Sequence, residues 1–216
     1  MRVLIIGAAG AVGRLCVEQS LERGHDVSAS ARSPGNLAID HPRLCKVRVD
    51  LLDPGSIDLA VPGHDAVILA AGVRVSPRTM TRPVDVLERG TRSLIDAMKR
   101  HSVRRLIVLS AAGVGDSRGH TTRIFHWFIR PVFLTQIYRD KLHQESLVRD
   151  SGLDWTIARP GSFTNGPHTG RWQAMTDWKA TGARTGYISR ADVADFLVAQ
   201  LESDAFLREA PLVTGE

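Results

Sequence analysis

The stretch Gly7-Ala-Ala-Gly10-Ala-Val-Gly13 constrains the fold of this chain more than any other feature. It follows the short β-branched run Val3-Leu-Ile-Ile6 and opens a segment, Ala11 to Arg23, whose apolar residues Val12, Leu15, Cys16 and Leu21 read as a helix. A strand passing into a helix through glycines spaced G-x-x-G-x-x-G requires a tight bend, a side-chain-free approach and close packing of helix on strand. The same context aims the first N–H groups of the helix, around Ala11, Val12 and Gly13, and its partial positive charge at a place where a pyrophosphate can rest. A plain tight turn is the competing reading. The N-terminal position and the continuation of the pattern favour the nucleotide.

The strand-helix rhythm repeats. Val27 to Ala31, Cys45 to Val49, Ala66 to Ala70, Leu106 to Leu109 and Trp155 to Ala158 are strand-like, with helical stretches between most of them. Such alternation predicts an α/β fold, a Rossmann-type doubly wound parallel sheet covered on both faces. Val84 to His101 carries Val84, Leu87, Thr91, Leu94, Ile95 and Met98 on one stripe, and Ser189-Arg-Ala-Asp192 reads as a capping box opening a helix through Leu201. At 216 residues, 43% hydrophobic and 24% charged, the chain suits one globular core, so 1–216 is read as a single domain. Two segments exceed a minimal nucleotide core, 120–138 and 165–186. Both read as substrate-lid insertions, the second giving a small C-terminal cap. The first holds Phe125, Trp127, Phe128, Phe133 and Tyr138 among Arg123, Arg130 and Arg139; Pro131 interrupts it, which favours a lid or subunit contact over a membrane-surface helix.

Charge narrows the ligand. The chain has 28 Lys+Arg against 23 Asp+Glu, a formal +5, which suits a nucleic acid, a membrane surface or a phosphorylated cofactor. The basic residues are scattered and not striped, which argues against nucleic acid. At the end of the second strand the sequence is Ser28-Ala-Ser-Ala-Arg32-Ser33, with no carboxylate. An acid there would bind ribose hydroxyls and repel a 2′-phosphate, whereas Arg32 offers that phosphate a planar fork, and Arg14 adds a second contact. NADP(H) is therefore expected over NAD(H), with a solvated surface arginine as the competing reading. Cys16 and Cys45 lack ligand spacing, so no metal and no disulfide is expected. The first apolar run stops at Gly7 and no stretch spans a bilayer, so a cytoplasmic chain without integral membrane association is expected.

Further motifs carry a resemblance. Asp50-Leu51 follows the third strand, Ala70-Ala71-Gly72 the fourth, and Ser110 closes the fifth. Then come Lys141-Leu-His-Gln-Glu-Ser-Leu-Val-Arg-Asp-Ser-Gly-Leu-Asp-Trp-Thr-Ile-Ala-Arg-Pro-Gly161 and Tyr187-Ile-Ser-Arg-Ala-Asp-Val-Ala194. On these, nearly end to end, the chain resembles the atypical short-chain dehydrogenase/reductase superfamily, in the NAD(P)H-binding branch of biliverdin-IXβ/flavin reductase and the NmrA-like proteins. The resemblance implies that Asp50 and Leu51 contact the adenine, that Ala70, Ala71 and Gly72 line the cofactor, and that Pro160 and Gly161 neighbour the nicotinamide. It places a catalytic serine at Ser110 and gives Lys141 the ribose hydroxyls.

One departure matters. The superfamily's base apparatus is a tyrosine four residues before a lysine, about 40° apart on the helix, but that position holds Ile137. Tyr138 lies three before Lys141, about 60° away on the other side of the stripe. It reaches the site only if the helix is locally tightened or rotated, and otherwise packs among Phe125, Phe128 and Phe133. Ser110 orients a substrate carbonyl or caps the next turn, and Lys141 alternatively pairs with Glu145 at i,i+4. His126 and His143 are proton donors by type alone. The leading reading is an NADP(H)-dependent reductase of a small or planar acceptor such as a flavin, quinone or carbonyl compound, acting as a monomer or homodimer. The alternative is a non-catalytic, redox-sensing NADP(H)-binding regulator of NmrA-like type, which the displaced tyrosine favours; epimerase or dehydratase chemistry comes last because little chain follows Pro160.

Overall fold

A computed structural model describes residues 1–122, 129 and 132–216. The elements are β1 (Arg2–Ile6), α1 (Ala11–Glu22), β2 (Asp26–Ala31), β3 (Leu44–Arg48), α2 (Pro54–Ala60), β4 (Ala66–Leu69), α3 (Pro77–Thr81), α4 (Val86–Arg100), β5 (Arg105–Leu109), α5 (Thr135–Arg149), β6 (Asp154–Pro160), β7 (Ser162–Thr164), β8 (Trp172–Met175), α6 (Trp178–Thr181), β9 (Tyr187–Ser189), α7 (Arg190–Ala199) and β10 (Leu212–Gly215). The main sheet runs in the order β3-β2-β1-β4-β5-β6-β10-β8, parallel except for β8, which pairs antiparallel with β10. This is the doubly wound fold expected. The order reverses between β1 and β4, so a crevice opens there at the carboxyl ends of the strands.

Alternation along the strands feeds two cores. On one face Val3, Ile5, Ala29, Ile68 and Ile107 meet Cys16, Val17 and Leu21 of α1 and Val193, Phe196 and Leu197 of α7. On the other, Leu4, Ile6, Val67, Leu106 and Val108 meet Ile57 of α2, Leu94, Ile95 and Met98 of α4, and Val148 of α5. Each such side chain stabilises the fold by about 1.5 to 3 kcal/mol relative to exposure. Burial on both faces is why β1 and β4 read as unbroken apolar runs.

The helix ends are less legible. The stripe predicts a start at Val84, but α4 begins at Val86 because the Asp140 carboxylate of α5 accepts from Leu87 N and Glu88 N, each at 2.9 Å. The expected capping box at α7 is half formed. Ser189 Oγ accepts from Asp192 N, but the Asp192 carboxylate accepts from the Ser189 hydroxyl, Thr169 and Gly170 instead of the Ser189 amide. Within 165–186, β8 extends the main sheet and Trp178 of α6 is buried, so this segment belongs partly to the core. Arg123, Phe125, His126, Trp127, Phe128, Arg130 and Pro131, on which the aromatic-lid reading rests, lie outside the described residues.

Candidate active site

Strands β4, β5 and β6 end together, and the segments that leave them, Ala70-Ala71-Gly72, Ser110-Ala111-Ala112 and Gly161, wall a cleft of about 870 Å³. Tyr138 and Lys141 of α5 complete the floor. The glycine turn adjoins it. Gly7 has φ +91°, a left-handed conformation, and a Cβ there would lie 2.8 Å from Ala71 N, so only glycine fits. A Cβ on Gly13 would lie 2.2 Å from the Gly7 carbonyl oxygen, which lets α1 start directly against the turn. Gly10 is different, since its Cβ would meet only the Gly7 oxygen at 3.2 Å. As N-cap of α1 Gly10 supplies no side-chain acceptor, leaving the first-turn amides uncapped, as an anion cradle requires.

The adenosine side is more open. Arg32 follows β2, is exposed, and makes no ion pair among the described residues. Arg14, expected as a second phosphate contact, pairs instead with Glu18 at 2.9 Å. Asp50 Oδ1 accepts from Leu52 N at 3.0 Å, and Leu51 packs where a Cβ on Gly90 would fall, which seats it against α4. These residues stand apart from Ser110 and Lys141 in the sheet order, on the far side of β1.

Ser110, Tyr138 and Lys141 line one cleft, together with Ile137. Helix spacing places Ile137, Lys141 and Glu145 on one stripe, and Tyr138 reaches the cleft from its edge. Its hydroxyl donates to the Ala112 carbonyl at 3.2 Å. Packing of Tyr138 against Phe125 and Phe128 lies outside the described residues, and Phe133 is exposed. Lys141 does not form the i,i+4 ion pair with Glu145. Its Nζ donates to the Leu109 carbonyl at 3.1 Å, because Glu145 is already claimed by Arg159. His143 pairs with Glu88 at 2.8 Å, away from the cleft.

Burial depresses Lys141 to about 8, with Glu145 and Asp140 partly opposing. Unfolded, it titrates near the ordinary 10.5. Between these values the unfolded chain holds a proton that the folded chain lacks, so this group makes stability rise with pH from about 8 to 10.5. Below that window the full cost of burying the ammonium is present. Lys141→Met is therefore expected to stabilise the protein by roughly 2 kcal/mol at neutral pH, after allowing for the lost hydrogen bond, and the gain should vanish above the window. Denaturant unfolding of both proteins across pH checks this. A pH-independent difference would contradict it.

Behind the cleft lies an ionic network, buried at Ser110, Glu145 and Arg159 and open to solvent at Asp116 and Lys179, that the sequence reading missed. Ser110 Oγ donates to Glu145 Oε1 at 2.5 Å. Arg159, 1% exposed, donates through Nε to Oε1 at 3.1 Å and through Nη2 to Oε2 at 2.5 Å. Its Nη1 stands 2.7 Å from Asp116 Oδ1 but off the N–H direction, so that contact is a charge pair more than a hydrogen bond. Lys179 closes the chain on Asp116 at 2.6 Å. Burial lowers the Arg159 pKa, but Glu145 and Asp116 outweigh it and hold the guanidinium above its usual range. Because Arg159 grips both carboxylate oxygens, Glu145 offers only lone pairs, and the Ser110 proton points inward. A serine so held presents an acceptor to the cleft; orienting a carbonyl would require breaking its bond to Glu145. The signal available in the sequence was an arginine next to last in its strand, four residues after Trp155; it is fully buried with its neighbours.

A doubly wound sheet, a glycine turn feeding an uncapped helix and a cleft at the strand ends define a Rossmann-type nucleotide-binding protein. The profile of the NAD(P)H-binding family matches residues 7–204, and the chain belongs to that family. An uncharacterised chloroplastic protein of Arabidopsis thaliana is 34% identical over 175 residues, 78% of this chain; the match spans 61% of the plant protein, less than two thirds of its length. Among solved structures, a short-chain dehydrogenase/reductase from Veillonella parvula in complex with NADP superposes with a TM-score of 0.80 at 19% identity, over 99% of this chain and 94% of that one. ChuY, an anaerobillin reductase from Escherichia coli O157:H7, gives 0.79 at 22%, over 100% and 97%. These structures share the fold. Among the described residues no helix is long and apolar enough to cross a membrane, and no group of three His, Cys, Asp or Glu could hold a metal.

Proposed function

We propose that the protein is an NADP(H)-dependent reductase that passes a hydride to a small or planar acceptor, a flavin, quinone or carbonyl compound, in the cleft. The observation that carries this reading is the meeting of Ser110, Tyr138 and Lys141 around one apolar cleft that abuts the glycine turn through Ala71. The nicotinamide supplies the hydride. Gly10, Ala11, Val12 and Gly13 cradle the pyrophosphate, with Gly7 shaping the turn. Arg32 takes the 2′-phosphate, with Arg14 available once it leaves Glu18. Asp50 and Leu51 border the adenine, Ala70, Ala71, Gly72, Pro160 and Gly161 border the nicotinamide, and Lys141 holds ribose hydroxyls with the N–H groups that Leu109 does not use. Thr121, Thr122, Ile129 and Leu134 line the cleft, with Thr185 from the later segment, and the largely apolar lining excludes water from the transfer. The NADP complex of the Veillonella protein and the reductase activity in the name of ChuY support the reading.

Arg32→Ala is expected to weaken NADPH binding by about tenfold to a hundredfold, the worth of a charge-assisted hydrogen bond of roughly 1.5 to 3 kcal/mol, and to leave NADH binding nearly unchanged. Calorimetric titration of both cofactors decides it, and an unaltered preference would remove Arg32 from the site. Turnover is tested by NADPH oxidation with flavins, quinones and aldehydes. Tyr138→Phe should cost less than the 10²- to 10⁴-fold typical of a general acid, because its proton is held by Ala112. Ser110→Ala should cost more, because it removes the oxygen that faces the cleft as an acceptor and unsettles the Glu145 carboxylate behind it. The regulatory reading of NmrA-like type has one observation in its favour: the hydroxyl protons of both Ser110 and Tyr138 are bound inside the protein. Tight NADPH binding without oxidation by any acceptor would decide for it.

A further inference from the structure

We propose that the acceptor taken by this cleft is an apolar molecule bearing a negative charge, and that Arg190 is the residue that binds the charge. The proposal rests on the reductase reading and names its substrate class. Arg190 opens α7 beside the β7–β9 pair, and its side chain lines the cleft. Nη1 donates to the Thr164 carbonyl at 3.2 Å and to Asn165 Oδ1 at 2.5 Å, and the guanidinium lies 5.3 Å from the centre of the Phe163 ring. These contacts hold the fork in place. They leave Nε and Nη2 without a partner among the described residues, and no carboxylate pairs with the group.

The surroundings provide no countercharge. No Asp or Glu lines the cleft among the described residues, and residues 123–128 and 130–131 contain none in the sequence. Lys141 is a second cation there, also without an ion pair. The buried Arg159, by contrast, has Glu145 and Asp116 as countercharges. The Arg190 guanidinium is half-buried against the Phe163 ring at a rim where Val75, Phe163 and Tyr187 are exposed, so an incoming anion meets a cation that no carboxylate offsets, at a place where salt still screens the attraction. A volume of about 870 Å³ leaves room for a hydrophobic body beyond a nicotinamide ring. The chemistry that fits is a carboxylate or sulfonate on a hydrophobic ring or chain. Arg190 contacts β7 and not the glycine turn, which separates its charge from those assigned to the cofactor's phosphates.

Two probes with one aromatic body test this: 8-anilinonaphthalene-1-sulfonate and the uncharged N-phenyl-1-naphthylamine, titrated by fluorescence into the full chain. Arg190→Gln should weaken the sulfonate by about tenfold or more and change the neutral amine and NADPH less than about twofold, while Arg190→Lys recovers part of the loss. Gly72→Phe, which fills open space in the cleft, should remove both probes. In the unaltered protein, added salt should weaken the sulfonate alone, a result that needs no variant to fold. Equal loss of both probes, no loss, sulfonate binding that survives Gly72→Phe, a parallel fall in NADPH affinity, or no binding of either probe would each overturn the proposal. A preserved sulfonate preference in a protein that fails to bind or oxidise NADPH would instead strike the reductase reading alone.

Discussion

Gly13→Val is expected to abolish NADPH binding and to lower stability by about 3 kcal/mol or more, because its Cβ alone would sit 2.2 Å from the Gly7 carbonyl oxygen. No rotamer relieves a clash between two backbone-anchored atoms. Either α1 tilts away from β1, opening the contact of Val12 and Cys16 with the sheet, or the Gly7 turn shifts into Ala71, which already leaves no room. Gly10→Val is the companion experiment. Its Cβ has 3.2 Å to the same oxygen, so the fold should survive while the side chain occupies the approach to the helix amides. Thermal unfolding alongside calorimetry separates the two. Tight NADPH binding by Gly10→Val with an intact fold would place the phosphates elsewhere.

The second large effect concerns the network behind Ser110. Glu145→Leu leaves Arg159 buried, with only the off-axis Asp116 contact, and should cost about 3 to 5 kcal/mol. The double variant Glu145→Leu/Arg159→Met removes both charges and should recover most of that loss, since hydrophobic replacement of a buried pair is often neutral or stabilising. Denaturant unfolding of the two singles and the double closes the cycle. Additive losses would mean that the two side chains contribute independently and that the ion pair is incidental. The double variant also frees the Ser110 proton, so its effect on cofactor and acceptor binding reports on whether an inward-pointing hydroxyl matters to the cleft.

The sheet and the glycine turn were legible because their signals are local: β-branched runs set by burial on both faces, and glycines demanded by a bend and two close approaches. The limits of the six expected strands agree within two residues at each end, from Val3–Ile6 expected against Arg2–Ile6 to Trp155–Ala158 against Asp154–Pro160, while β8 and β10, which complete the main sheet, were not expected. What stayed hidden depends on partners distant in sequence. The cap of α4 comes from Asp140, the carboxylate of Asp192 accepts from Thr169 and the Ser189 hydroxyl rather than from the Ser189 amide, and Lys141 forgoes Glu145 because Arg159 outbids it. Tyr138 illustrates the difference. Helical angles put it off the catalytic stripe, yet the docking of α5 turns that edge toward the cleft, a tertiary fact with no counterpart in spacing.

Asp140 and Lys141 are neighbours with opposite duties. One carboxylate bolts α5 to the first turn of α4, while the next side chain reaches under the cleft to Leu109. The two helices therefore form a raft, and the cleft floor cannot swing away without stripping the amides of Leu87 and Glu88 of their acceptor. Hydrogen exchange at those two positions becomes a gauge of whether the floor is docked.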